Sequence, residues 1–353
     1  MGLWHEGSEI DMLTPNKVFV DTITTQCALL LPDDRMDGTK NSGPPRATRF
    51  SIPSHYQDKD LHGLYLPSKD ILVLEGSVIG YGNGHNGFGS CEVPSLVLES
   101  YKATHITRAL PFSKEEKRRI ENGDAITMKR LDVGVNLDLP EDVPASRALV
   151  ELAHEMIDKG MNTSAYGFGE TVYRNQYSQS SAQKFYDKVK ELLDTKGLPA
   201  DLPNRDAILD FLRTKIRSEI VLRYPKLKAM DMTTPRECTF AMLKSELENA
   251  FRRLKLSGSV RAGLSALDLR DLKPMYRTTY RLWEHGDDLE TLLEAKAYQR
   301  HIAYFESLGF DITNPPSISG KEYALGDIFT LSNAVAPPPE LWSGEDDAEC
   351  ALA

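Results

Sequence analysis

The chain has 353 residues, 41% of them hydrophobic, and a formal net charge of −10. That length holds one large domain or two ordinary ones, and the apolar content excludes a globally disordered chain. The acidity counts against a nucleic-acid protein, since phosphate binding is driven mainly by Lys and Arg. The charge is uneven, however: residues 340–349 are acidic, while 114–119, 213–228 and 252–255 are rich in Lys and Arg, which leaves room for a local basic groove.

Apolar runs such as 27–31 are far too short to cross a bilayer, so no membrane partner is expected. The first residues lack a basic segment followed by an apolar one, so no secretory leader is expected. Cys27, Cys91, Cys238 and Cys350 form no close pair. That spacing suits neither a zinc site nor a disulfide framework, and it points to a reducing cytoplasm.

In chain order, residues 17–23 are β-branched and predict a strand. Residues 36–46, rich in Gly, Pro, Asn and Asp, predict a loop, and 70–77 a second strand. Residues 80–90 carry five glycines around His85 and Asn86. So dense a stretch implies backbone that turns with positive φ or approaches a ligand closely. No Gly-Lys-Ser/Thr closes it as a phosphate loop, and no helix follows where a dinucleotide fingerprint needs one. His85 and Asn86 could touch DNA or a metal, or Asn86 could simply occupy a left-handed turn.

A helix is expected over 93–101, and another over 114–122, where Ser113 and Glu116 form a capping box. Residues 125–137 alternate as a strand, with Leu131, Val133, Val135 and Leu137 on one face and Arg130, Asp132 and Asn136 on the other. Residues 146–159 predict an amphipathic helix with Leu149, Leu152 and Met156 inward. Around Tyr186 the element is ambiguous. On a helix Tyr186 neighbours Lys190; on a strand Tyr186, Lys188 and Lys190 share a face. Residues 205–213 read as helix. Residues 216–224 alternate again, with Arg217, Glu219, Val221 and Arg223 opposite Ile216, Ser218, Ile220 and Leu222. Helices follow over 237–255, 266–272, 276–284 and 289–308. The expected organisation is a mixed α/β domain over 1–230, a helical DNA-binding or accessory domain over 231–325 and a disordered acidic tail over 326–353.

Several of these residues suit chemistry on a phosphodiester. Tyr186 is a candidate nucleophile, with Tyr173 and Tyr177 as alternatives. Lys188 and Lys190 could hold a phosphate. Asp132 and Glu219 lie on strands that could be adjacent, and with Glu191 they could bind Mg²⁺ or Mn²⁺ through oxygen. None of the eight histidines forms a His-hydrophobic-His pair, so a carboxylate site is the one such chemistry would need. For Asp132 and Glu219 the plain alternatives are a solvated edge and a cross-strand ion pair.

Seven patches in one order resemble the replication initiators of filamentous phages and related plasmids, the gene II/gene X group. They are Ile10-Asp11-Met12-Leu13, Pro53-Ser54-His55-Tyr56, Gly84-His85-Asn86-Gly87-Phe88-Gly89, Arg130-Leu131-Asp132, Tyr186-x-Lys188-x-x-Glu191-Leu192, Arg217-x-Glu219, and Tyr298-x-Arg300-His301 continuing to Ile312. The resemblance implies an α+β fold with an HUH-endonuclease-like central antiparallel sheet flanked by helices, followed by an α-rich C-terminal domain. It implies a rolling-circle initiator that nicks one strand at the origin, keeps the 5′ phosphate on a tyrosine and rejoins the strand later. Tyr186 and Lys188 would act on the phosphate, and Asp132, Glu219 and Glu191 would hold the metal. His85, Asn86, Lys190, Arg130, Arg217, Tyr298, Arg300 and His301 would meet DNA. The expected partners are double- and single-stranded origin DNA, and a host helicase and polymerase, in the bacterial cytoplasm. The competing reading is a DNA-binding regulator of replication without catalysis.

Overall fold

The structure is a computed structural model, and it describes residues 16–30, 47–107, 110–167, 170–194, 197–261, 263–264, 266–308, 311–314 and 322–341. Among the described residues, nine strands alternate with helices along the first two thirds of the chain: β1 (Val18–Ala28), β2 (Thr48–Ile52), β3 (Leu61–Leu66), β4 (Ile71–Gly76), β5 (Ile126–Asp138), β6 (Thr163–Tyr166), β7 (Thr171–Arg174), β8 (Ser181–Asp187) and β9 (Lys215–Arg223). They form one antiparallel sheet in the order β2-β3-β4-β1-β5-β9-β8-β7-β6. A separate pair joins β10 (Ser259–Arg261) to β11 (Glu322–Ala324), and β12 (Ala334–Val335) adds to the end of β5 opposite Leu137 and Asn136.

The helices are α1 (Val78–Asn83), α2 (Val93–Ile106), α3 (Lys114–Glu121), α4 (Ala145–Asp158), α5 (Lys188–Asp194), α6 (Arg205–Arg213), α7 (Tyr224–Ala229), α8 (Phe240–Arg252), α9 (Ala266–Asp271), α10 (Pro274–His285), α11 (Leu289–Leu292), α12 (Ala295–Glu306) and α13 (Leu325–Ile328). Helix α3 starts where its capping box places it: the Ser113 hydroxyl accepts from the Glu116 amide, and the Glu116 carboxylate accepts from the Ser113 amide. The ambiguity at Tyr186 resolves cleanly. Tyr186 ends strand β8, and the helix begins at Lys188.

The two long central strands present the two faces their alternation predicts. Leu131, Val133, Val135 and Leu137 of β5, with Ile216, Ile220 and Leu222 of β9 and Phe185 of β8, are buried in the main core. Leu149, Leu152 and Met156 of α4 belong to the same core, and Phe185 also meets the rings of Phe251 and Phe329 at 6.2 and 5.4 Å. The opposite face is polar, yet it too is covered. The glycine-rich segment 78–90 lies over it, and Phe88 packs there with Leu192, Ile208 and Leu212 of α5 and α6. A sheet covered on both sides leaves its polar face in a poorly hydrated space, and that space is where the candidate site lies.

Two expected boundaries move. The main core does not stop near residue 230, because Leu243, Leu247, Ala250 and Phe251 of α8 join it. The separate helical core begins later and gathers Leu269, Leu272, Tyr280, Trp283, Leu289, Phe305 and Ile312. The supposed tail from 326 is ordered at its start: Leu325, Ile328, Phe329 and Ala334 are buried in the main core, and β12 pairs with β5. Residues 342–353, like 10–13 and the loop predicted over 36–46, lie outside the described residues. Among the described residues no helix is long and apolar enough to cross a membrane.

Candidate active site

Register brings the predicted residues together. Strands β5 and β9 are direct neighbours, with Asp132 opposite Val221 and Glu219 opposite Gly134, so the two acids sit diagonally on one face. Strand β8 flanks β9 with Lys184 opposite Glu219 and Tyr186 opposite Arg217. Strand β7 then sets Tyr173 opposite Lys184 and Thr171 opposite Tyr186. The polar face therefore reads, strand by strand, Asp132, Glu219, Lys184 and Tyr186, then Tyr173.

Tyr186 is 4% exposed, and its hydroxyl donates to Oε1 of Glu219. The Lys184 ammonium stands 2.5 Å from the other Glu219 oxygen and 4.7 Å from the Tyr186 ring centre. The Lys188 ammonium lies 5.6 Å from the same ring and donates to Asn86 Oδ1 at 2.9 Å and to Glu191 at 2.5 Å. Tyr186, Lys184, Tyr173, Lys190 and Glu191 line a pocket of about 210 Å³.

Burial alone would push the Glu219 carboxyl up, but Lys184, Arg217 and Lys188 outweigh it and hold the group well below the usual range, so it is ionised. Burial, reinforced by Glu219 and Glu191, lifts the Tyr186 phenol well above its ordinary value. Lys188 moves down to about 8, because burial and then Arg217 disfavour its charge more than Glu191, Asp21 and Glu219 favour it. Asp132 rises to about 6: burial outweighs the Arg130 guanidinium, which grips both carboxylate oxygens at 2.8 and 2.7 Å.

The glycine-rich segment is tied into this face. Arg217 reaches across to the carbonyls of Asn86 and Gly87 at 2.9 and 2.5 Å while its Nε donates to Asn136. Asn86 donates to Asp21 at 2.6 Å. Three DNA-contact expectations are corrected by this packing. His85, Asn86 and Arg217 are buried and bonded within the protein: His85 accepts from the Gly87 amide, Asn86 pairs with Asp21 and Lys188, and Arg217 with the loop carbonyls. Burial first, then Lys188 and Arg217, lowers His85 to about 3, so it is neutral near pH 7 and offers no cation to a phosphate. His301 is buried as well, bonded to Thr279 in the helical core. Arg300 is exposed and Tyr298 half-buried on α12, and neither belongs to the pocket. Lys190 lines the pocket, but it is paired with Asp194 at 2.9 Å. Arg130 is partly exposed and occupied by Asp132.

The expected metal set does not fit as arranged. Asp132 is held by Arg130, Glu219 by Lys184 and Tyr186, and Glu191 by Lys188. Among the described residues no three His, Cys, Asp or Glu side chains gather as a group able to hold an ion.

Sequence reading missed Asp21 and Lys184. Asp21 is buried on β1 at a bulge in its pairing with β5, and burial followed by Glu219 raises its carboxyl. Its only signal was an acid inside a β-branched run. Lys184 was within reach, because extending the alternation back two places from Tyr186 arrives at it.

Fold and site together define an α+β protein whose tyrosine, lysine and carboxylate cluster sits on the covered polar face of an antiparallel sheet. Residues 40–241, more than half the chain, match the family model described as Replication-associated protein G2P N-terminal, and the chain belongs to that family. It is thus a replication-associated protein of the phage G2P kind. The matched span contains the patches at 53–56, 84–89, 130–132, 186–192 and 217–219, but not those at 10–13 and 298–312. No curated protein matches the chain. Among solved structures it is similar to the structure of a rolling circle replication initiator protein from Geobacillus stearothermophilus. That match is 12% identical, covers 68% of this chain and 84% of the other, and has a TM-score of 0.28, too low to bear on the site.

Proposed function

We propose that this protein nicks one strand of origin DNA through Tyr186 and rejoins it after a round of synthesis. The observation that carries the reading is the Tyr186 hydroxyl seated on an ionised Glu219, between the Lys184 and Lys188 ammonium groups, at the wall of an open pocket. In the step proposed, the phenol oxygen attacks the scissile phosphorus and the bond from phosphorus to the 3′ oxygen breaks. The phenol proton passes to Glu219, and the 3′ oxygen leaves as a hydroxyl, taking a proton from Lys188 or water. Because the phenol binds its proton tightly, attack and proton transfer must be coupled. The lysines offset charge gathering on the phosphate. The free 3′ hydroxyl then suits a host polymerase, with a helicase opening the duplex ahead. No step here runs through Mg²⁺ or Mn²⁺.

The test mixes the protein with supercoiled plasmid bearing its cognate origin, then denatures and digests with protease. Open circles carrying a protein adduct are expected, and Tyr186→Phe should abolish them. An adduct that survives Tyr186→Phe but vanishes in Tyr173→Phe or Tyr177→Phe moves the nucleophile. Repeating the assay with EDTA and with added Mg²⁺ or Mn²⁺ reads the metal requirement. The second reading, a DNA-binding regulator without catalysis, is favoured by the 4% exposure of Tyr186. Binding without any cut under all these conditions would establish it.

A further inference from the structure

Three tyrosines form a ladder from solvent to the pocket. Tyr177, 76% exposed, stands in the turn between β7 and β8, and Tyr166, 45% exposed, ends the outermost strand β6. Their hydroxyls lie 3.3 Å apart, and Tyr166 donates to Gln176 Oε1 at 2.8 Å. The Tyr173 ring meets Tyr166 edge-on at 5.8 Å and itself lines the pocket with Lys184 and Tyr186. Exposed rings scattered singly mean little. Here they are adjacent, fixed in orientation by hydroxyl contacts, and continuous with the pocket.

The charges nearby narrow what would fit. Lys184 is bound to Glu219, and Lys190 to Asp194 and Glu170, so this edge offers aromatic planes more than uncommitted positive charge. A ligand suited to it presents flat faces of its own and needs few ionic contacts. Unpaired nucleotide bases do so, since every base has a π face and stacking on aromatic side chains tolerates any sequence. Resting on the tyrosine chemistry above, we propose that Tyr166 and Tyr177 are a stacking platform for the bases of single-stranded nucleic acid, which feeds the strand past Tyr173 to Tyr186.

The test uses the full chain as Tyr186→Phe, so that nothing is cut, titrated with a short fluorescent oligothymidine. A second oligomer of the same length and charge carries abasic sites. Replacing Tyr166 and Tyr177 by alanine should weaken binding about tenfold, while phenylalanine at both places restores it. The abasic strand should bind poorly even to the parent, and the salt dependence should be shallower than phosphate-driven binding gives. Melting curves confirm that the alanine variants fold. Equal binding by the double alanine variant, or equal affinity for the abasic strand, overturns the platform. Adduct formation is read separately in the chain that retains Tyr186. Adduct together with alanine-insensitive binding removes the platform and leaves the tyrosine chemistry standing. Base-dependent, alanine-sensitive binding without adduct supports the platform and removes the chemistry.

Discussion

At the level of single residues, the site is a balance between burial and paired charge, and its titrations have definite signs. Asp132 takes its proton at about 6 in the folded chain, against an ordinary 3.8. Its contribution to stability is therefore fully present below pH 3.8 and is lost as pH rises through about 6. Asp132→Asn should flatten the stability profile between those limits, which urea denaturation at successive pH values measures. Lys188 runs the other way. Its folded value of about 8 lies below the ordinary 10.5, so stability rises as pH climbs between the two. If the charged ammonium serves the phosphate, single-turnover nicking should decline through about pH 8. Lys188→Gln should be slower by about 10²-fold or more and lose that decline. Strand alternation made Asp132 and Glu219 legible as partners on one face. It could not show that both would be buried, because that depends on helices and a loop supplied by distant parts of the chain.

At the level of elements, β5 and β9 hold the site because one position between them has no side chain. A Cβ added at Gly134 would come within 3.2 Å of Glu219 Cγ and of the Phe19 ring. On an open strand Gly→Ala stabilises, since alanine loses less backbone freedom on folding. Here Gly134→Ala should cost about 1–3 kcal/mol by overpacking and draw Glu219 away from the Tyr186 hydroxyl. Denaturant midpoints and adduct yield should fall together. The glycine-rich segment is expected to turn with positive φ or to approach a ligand closely, and the positive φ is found at Gly84 and not at Asn86. What it approaches is the Arg217 side chain of its own sheet, which no local pattern reveals. At Gly84, which ends α1 with φ of +73°, the glycine meets a second need, a left-handed cap. The short strands β2, β3, β6 and β7 escaped notice because their four to six residues carry little periodicity and lack the continuous apolar run that marks β4.

At the level of the whole molecule, the predicted division near residue 230 followed a real change in composition, from mixed segments to helices. Composition does not show which helices return to an existing core. Leu243 and Phe251 do so, as do Leu325, Ile328 and Phe329 after the helical cluster has intervened. Burying a large apolar side chain is worth about 1.5–3 kcal/mol. The last three together thus rival the roughly 5–15 kcal/mol that keeps a domain folded. Deleting residues 325–341 should abolish a single sharp thermal transition, measured by circular dichroism, although the deletion lies far in sequence from Tyr186.

The seam that β12 makes with β5 also dictates when the molecule can be finished. Leu137 and Asn136 pair with Ile216 and Arg217 of β9 along one edge, while the other edge, beyond the reach of β1, is covered by Ala334 and Val335. During translation, then, the middle of the sheet must wait, with part of its rim bare, until residues 334 and 335 have been made. A polypeptide released early by a nonsense codon is left with that rim uncovered, a template for pairing with its own siblings rather than a smaller working protein.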